Sequence, residues 1–115
     1  MSAAGVVVER AAERRRARRK TLRVRALVLL PDDALLEAHT VDLSTTGAAL
    51  FVPTAFGMGD ECRVQMQFQA CGTSKSVLLI GEVCYCTQAV SGFRIGIRFV
   101  QLDPTNLALL GELLL

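Results

Sequence analysis

Two segments of the chain hold more hydrogen-bonding capacity than a fold requires. The first, Asp42-Leu43-Ser44-Thr45-Thr46-Gly47, sets a carboxylate and three hydroxyls before a glycine, between two alternating apolar runs. A turn that only reverses the chain has no need of so many polar groups, and the glycine can adopt φ > 0. The second is the arginine block from Arg14 to Arg25. Guanidinium is a planar, forked donor that matches phosphate and carboxylate better than ammonium does, and it stacks on aromatic faces. Together the two segments have the chemistry of an anion-binding site. No general base, nucleophile or metal cluster accompanies them, so binding without catalysis is expected.

The charge distribution points the same way. The net charge is only +2, but Arg10 to Arg25 holds nine basic residues and one acid, whereas Ala26 to Leu115 holds four basic residues and nine acids. A basic arm on an acidic body suits a local anion better than a long polyanion. The four cysteines, Cys62, Cys71, Cys84 and Cys86, lack the spacing of a zinc site and read as reduced, small apolar residues. Cys84 and Cys86, two apart in an apparent strand, should share a face. Neither a signal peptide nor an apolar run long enough to cross a bilayer is evident, so a cytoplasmic protein is expected.

These segments need a scaffold, and a chain of 115 residues supplies one domain with a single modest core. With five Phe, one Tyr and no Trp, that core must be aliphatic. Residues 1–13 have no strong period and read as a flexible tail. From Leu22 to Leu30 the chain alternates as a first strand, and Pro31-Asp32-Asp33-Ala34 turns it into a returning strand ending at Leu43. Further strands read over Ala48 to Val52, Cys62 to Phe68, Ser76 to Cys86 and Phe93 to Val100. Gly81 marks a bulge or bend in the longest of them. Asp103-Pro104 has the form of a helix N-cap and N1, opening a leucine-rich helix over 104–115 that should pack on the sheet. The fold class is therefore all-β with a C-terminal helix, as a six-stranded antiparallel barrel over 22–100.

If Asp32 and Asp33 centre the hairpin, Arg23 lies opposite Asp42 and Arg19 opposite Thr46. The arm, 14–21, must then run past the polar turn. Here the sequence resembles the PilZ domain family, whose R-x-x-x-R arm and [D/N]-x-S-x-x-G turn belong to receptors for the bacterial messenger cyclic di-GMP. Asp42 to Gly47 matches the second motif at every specified position. The first fits three frames, Arg14/Arg18, Arg15/Arg19 and Arg19/Arg23. The middle one is favoured because Glu13-Arg14-Arg15-Arg16-Ala17-Arg18-Arg19 resembles the usual lead-in. Gly92-Phe93-Arg94-Ile95-Gly96-Ile97-Arg98-Phe99 is similar to the family's last strand.

The resemblance, which spans Arg14 to the end, implies a PilZ-like domain over 14–115 with cyclic di-GMP as ligand and no cofactor. It implies that Arg15 and Arg19 clamp phosphates and guanines, with Arg14 adding a contact. Asp42 and Ser44 would bond guanine edges, and Gly47 would let the backbone approach. Ligand binding would order the arm and pass the signal to a downstream protein partner. Plainer readings stand beside these: an Asx-type turn at Asp42, a solvated tail at the arginines, and His39 facing water rather than a ligand. A nucleic-acid-binding barrel is a second hypothesis, opposed by the acidic body and scarce aromatics. A PilZ-like protein-interaction module is a third.

Overall fold

The computed structural model describes residues 19–115. Arg14, Arg15 and Arg18, with the expected tail 1–13, lie outside the described residues. The strands are β1 (Lys20–Thr21), β2 (Arg25–Leu29), β3 (Leu35–Leu43), β4 (Gly47–Val52), β5 (Glu61–Ala70), β6 (Thr73–Ala89) and β7 (Gly92–Gln101), followed by one helix, α1 (Pro104–Leu113). The neighbour order is β1-β3-β2-β5-β6-β7-β4, and β4 pairs back onto β3. Six antiparallel strands, β2 to β7, thus close into the expected barrel. Strand β1 is an extra strand laid along the end of β3.

The first hairpin differs from expectation by one residue, then by two. Leu30 N–H donates to Ala34 O at 2.9 Å and Asp33 N–H to Leu30 O at 3.0 Å. Asp33 takes φ 65°. The loop is therefore three residues centred on Asp32, a common hairpin length with a left-handed residue in the last position. Arg25 consequently lies opposite His39, and Leu29 opposite Leu35. Leu22 N–H donates to Val41 O, while Thr40 N–H donates to Val24 O, leaving Arg23 as an unmatched extra residue. Past it, Thr21 rather than Arg23 lies opposite Asp42.

This irregularity divides the expected strand Leu22–Leu30 in two. The buried Thr40 side chain closes the gap: its Oγ1 accepts from Val24 N–H at 2.8 Å and donates to Leu22 O.

Burial follows the alternation closely in the later strands. Cys62, Val64 and Met66 of β5 are buried, while Glu61, Arg63, Gln65 and Gln67 between them are exposed. Leu43, Leu50, Met66, Leu79, Ile95 and Leu110 are the largest fully buried side chains, so the core is aliphatic. Each such side chain contributes about 1.5–3 kcal/mol on burial. The irregularity expected at Gly81 is present, with Ile80 opposite Gln101 but Gly81 opposite Phe99.

A second bulge in β6 was not anticipated. Val83 pairs with Ile97 and Tyr85 with Gly96, so Cys84 is the extra residue. It turns Cys84 outward, while Cys86 faces inward opposite Ile95. The two thiols therefore do not share a face, because an added residue reverses a two-residue period.

Helix α1 starts as its sequence suggests. Asp103 caps it by accepting from Asn106 N–H at 2.8 Å, with Pro104 next. It docks on the barrel through Leu110, an Asn106 Oδ1 bond from Leu78 N–H at 2.9 Å and a Lys75–Glu112 ion pair at 2.7 Å. No helix among the described residues is long and apolar enough to cross a membrane.

Candidate functional site

Strict alternation after the buried Thr40 would point Asp42 into the core. A bulge prevents this. Thr40 pairs with Leu50 and Asp42 with Ala49, leaving Val41 as the extra residue. Asp42 therefore faces outward while Leu43 keeps its place in the core. An ionised carboxylate stays in reach of solvent, and no buried charge has to be neutralised.

Once outside, Asp42 sits between two arginines. Arg19 Nη1 donates to Oδ1 at 2.7 Å and Arg94 Nη2 to Oδ2 at 3.4 Å. The Asp42 side chain is 16% exposed, against 56% for Arg19 and 46% for Arg94. One carboxylate thus offsets two guanidinium charges, and among the described residues each guanidinium keeps further donors without a partner. Nearby Arg98 is matched by Glu82. The local excess is cationic, and the remaining donors are the forked kind that bind phosphate bidentately.

The turn beyond Asp42 is held from within. Ser44 is 1% exposed. Its Oγ accepts from Thr46 N–H at 3.2 Å and from Gly47 N–H at 3.1 Å, and lies 3.2 Å from Gly47 O and 3.1 Å from Thr46 Oγ1. A hydroxyl has one proton and two lone pairs, so its capacity is spent inside the turn. Ser44 therefore shapes the loop that presents exposed Thr45 and Thr46. Phe99 N–H donates to Thr46 O at 2.9 Å and ties that loop to β7.

Gly47 is needed for close approach of two strands and does not use its freedom at φ > 0. Its φ is not positive. A Cβ there would lie 2.4 Å from Ile97 O, so the requirement is close approach of β4 to β7. Gly96 is similar on the outer face, where a Cβ would lie 2.0 Å from Tyr85 Cε2. The Tyr85 ring of β6 occupies that space over Gly96, two residues along β7 from Arg94.

Of the expected site residues, the fold brings Arg19, Asp42, Ser44 and Gly47 together. Arg23 is placed further along, beside His39. Arg94 and Tyr85 were not singled out from the sequence. Arg94 did stand in the segment similar to the family's last strand, on its outward-facing alternation. Its approach to Asp42 depends on β4 lying between β7 and β3, which no local pattern reveals.

The PilZ domain family model matches residues 13–115. The chain belongs to the PilZ family. Solved structures agree on the fold. This PilZ domain is similar to the PilZ domain of YcgR from Escherichia coli with c-di-GMP, at 18% identity and TM-score 0.70, covering 88% of each chain. It is similar to the inhibitor of motility MotI/DgrA from Bacillus subtilis, at 10% identity and TM-score 0.74, covering 88% of this chain and 49% of that one. The PilZ domain of CeSA from a cellulose-synthesizing bacterium matches at 19% identity and TM-score 0.56, covering 84% of this chain and 94% of that one. The chain thus spans about half the length of the Bacillus inhibitor. No curated protein matches the sequence.

Proposed function

We propose that this PilZ domain is a receptor for cyclic di-GMP, bound on the outer face of β3, β4 and β7. The observation that carries the reading is Asp42, turned outward by the Val41 bulge and shared by Arg19 and Arg94. A carboxylate accepts from the two N–H donors on a guanine edge, and the flanking guanidinia take the phosphates. Gly47 and the Ser44-locked turn bring backbone close to the ligand. Tyr85 offers a ring face beside Arg94, suited to stacking.

The energetics favour exchange. A pair whose arginine is more than half exposed is worth about 0–1 kcal/mol, so a doubly charged ligand can take Arg19 from Asp42 at small cost. Arg14 and Arg15, with Arg18 in the other frame, would then close over the ligand from the arm. Ordering of the arm against the barrel would be the signal read by a downstream protein partner. The role is binding without catalysis, in a bacterial cytoplasm.

Isothermal titration of the full chain with cyclic di-GMP tests the reading. Saturable binding is expected, weakened at least tenfold by Arg19→Ala and by Asp42→Ala in folded protein. Folded wild-type protein that gives no heat at micromolar ligand would overturn it. Binding of mixed-sequence DNA that falls steeply with salt would favour the nucleic-acid alternative instead.

A further inference from the structure

One row along the barrel from Asp42, the outer face carries a second feature. His39 of β3 pairs with Phe51 of β4, and Phe51 pairs with Arg94 of β7. The His39 and Phe51 rings stack, with centroids 5.3 Å apart and planes inclined by 17°. They form part of the wall of an open groove of about 550 Å3 that is also lined by Arg23, Arg25, Pro53 and Ser91. Its size falls within the range of small-molecule sites.

The two arginines are not equivalent. Arg25 is paired with Glu37. Among the described residues Arg23 has no carboxylate partner, and it is the extra residue between Leu22 and Val24. The groove therefore offers a flat aromatic wall and a guanidinium with donors to spare. That combination suits a planar ring carrying an anion.

We infer that this groove is a second subsite, taking a purine against the His39–Phe51 pair and its phosphate on Arg23. The inference rests on the receptor reading given above and extends it. Across the Val41 bulge His39 and Asp42 face Phe51 and Ala49, two residues apart on β4, so they lie about 7 Å apart along the barrel. That is a span a molecule with two purine nucleotides can bridge, and Arg94 stands between the two places. One nucleotide of the ligand sits at Asp42 and the other in the groove. A separate mononucleotide has the same chemistry, and the probes below distinguish the two sources.

His39 is the single histidine of the chain, so its imidazole C–H signals report on the groove without assignment ambiguity. Cyclic di-GMP and 5′-GMP are titrated separately into wild type, Arg23→Gln and Phe51→Leu, following these signals by NMR and the affinity by calorimetry. The expected result is a cyclic di-GMP-dependent shift of the His39 signals at the affinity of the calorimetric event. Each variant should weaken that affinity fivefold or more while remaining folded.

If Asp42-dependent binding occurs with His39 unmoved and both variants at wild-type affinity, the groove proposal falls and the receptor reading stands. If cyclic di-GMP does not bind, the receptor reading falls. The 5′-GMP arm then decides: movement of His39 that is lost in both variants supports a mononucleotide subsite, and no movement overturns it.

Discussion

Ser44 holds the polar turn from within. Its hydroxyl is the only side-chain group that satisfies the N–H groups of Thr46 and Gly47 in the described turn. Ser44→Ala removes the acceptor of the buried Gly47 N–H and of the part-buried Thr46 N–H, at a cost of about 1–3 kcal/mol. Urea unfolding should show the midpoint fall with an unchanged slope. An unchanged midpoint would mean that the turn does not depend on the hydroxyl.

His39 yields a prediction with a definite sign. Burial, and secondly the Arg23 charge, hold its pKa below the ordinary 6.5. As pH falls, the unfolded chain takes up this proton before the folded one does. Stability contributed here is therefore lost as pH drops through 6.5, and the loss levels out below the folded value. NMR titration should give a pKa under 6.5, and Arg23→Gln should raise it.

Bulges are what set the faces of the strands. The one at Val41 turns Asp42 outward, and the one at Cys84 separates two cysteines that simple alternation would place together. A thiol assay reads the second directly. Cys71 and Cys84 are exposed and should react quickly with a disulfide reagent, whereas Cys62 is buried. Burial first, and then the charges of Asp60 and Glu61, push the Cys62 thiol up to about 11, so it should react only on unfolding. Rapid labelling of Cys62 in native protein, or protection of Cys84, would contradict the β6 register.

Closure of the barrel makes the site a property of the whole chain. Asp42 belongs to β3 and Arg94 to β7, and they meet only because β4 pairs with both. A ligand that grips both strands binds the folded state and not the unfolded chain. At one hundred times its Kd it should therefore raise the unfolding free energy by about 2.7 kcal/mol. Thermal unfolding with and without cyclic di-GMP measures this. Asp42→Ala should remove most of the shift, and an equal shift in that variant would place the ligand elsewhere.

Much of this architecture was legible beforehand. Two-residue alternation in Cys62 to Phe68 and Phe93 to Val100 marks half-buried strands, because their side chains must divide between core and water. Asp103-Pro104 marks the start of α1, because its cap is satisfied by residues one turn away. The polar turn from Asp42 to Gly47 likewise stands out by composition alone.

What local pattern could not supply was register and contact across the barrel. One residue in the hairpin loop and a second at the Arg23 irregularity moved Arg23 from opposite Asp42 to beside His39. The Val41 bulge decided on which side of the wall the Asp42 carboxylate would stand. Such choices depend on which arrangement best fills a common core, and that is an interaction among strands far apart in the chain. The residue types supplied forked cationic donors and a carboxylate. Packing determined that Arg19, Asp42 and Arg94 would share one surface.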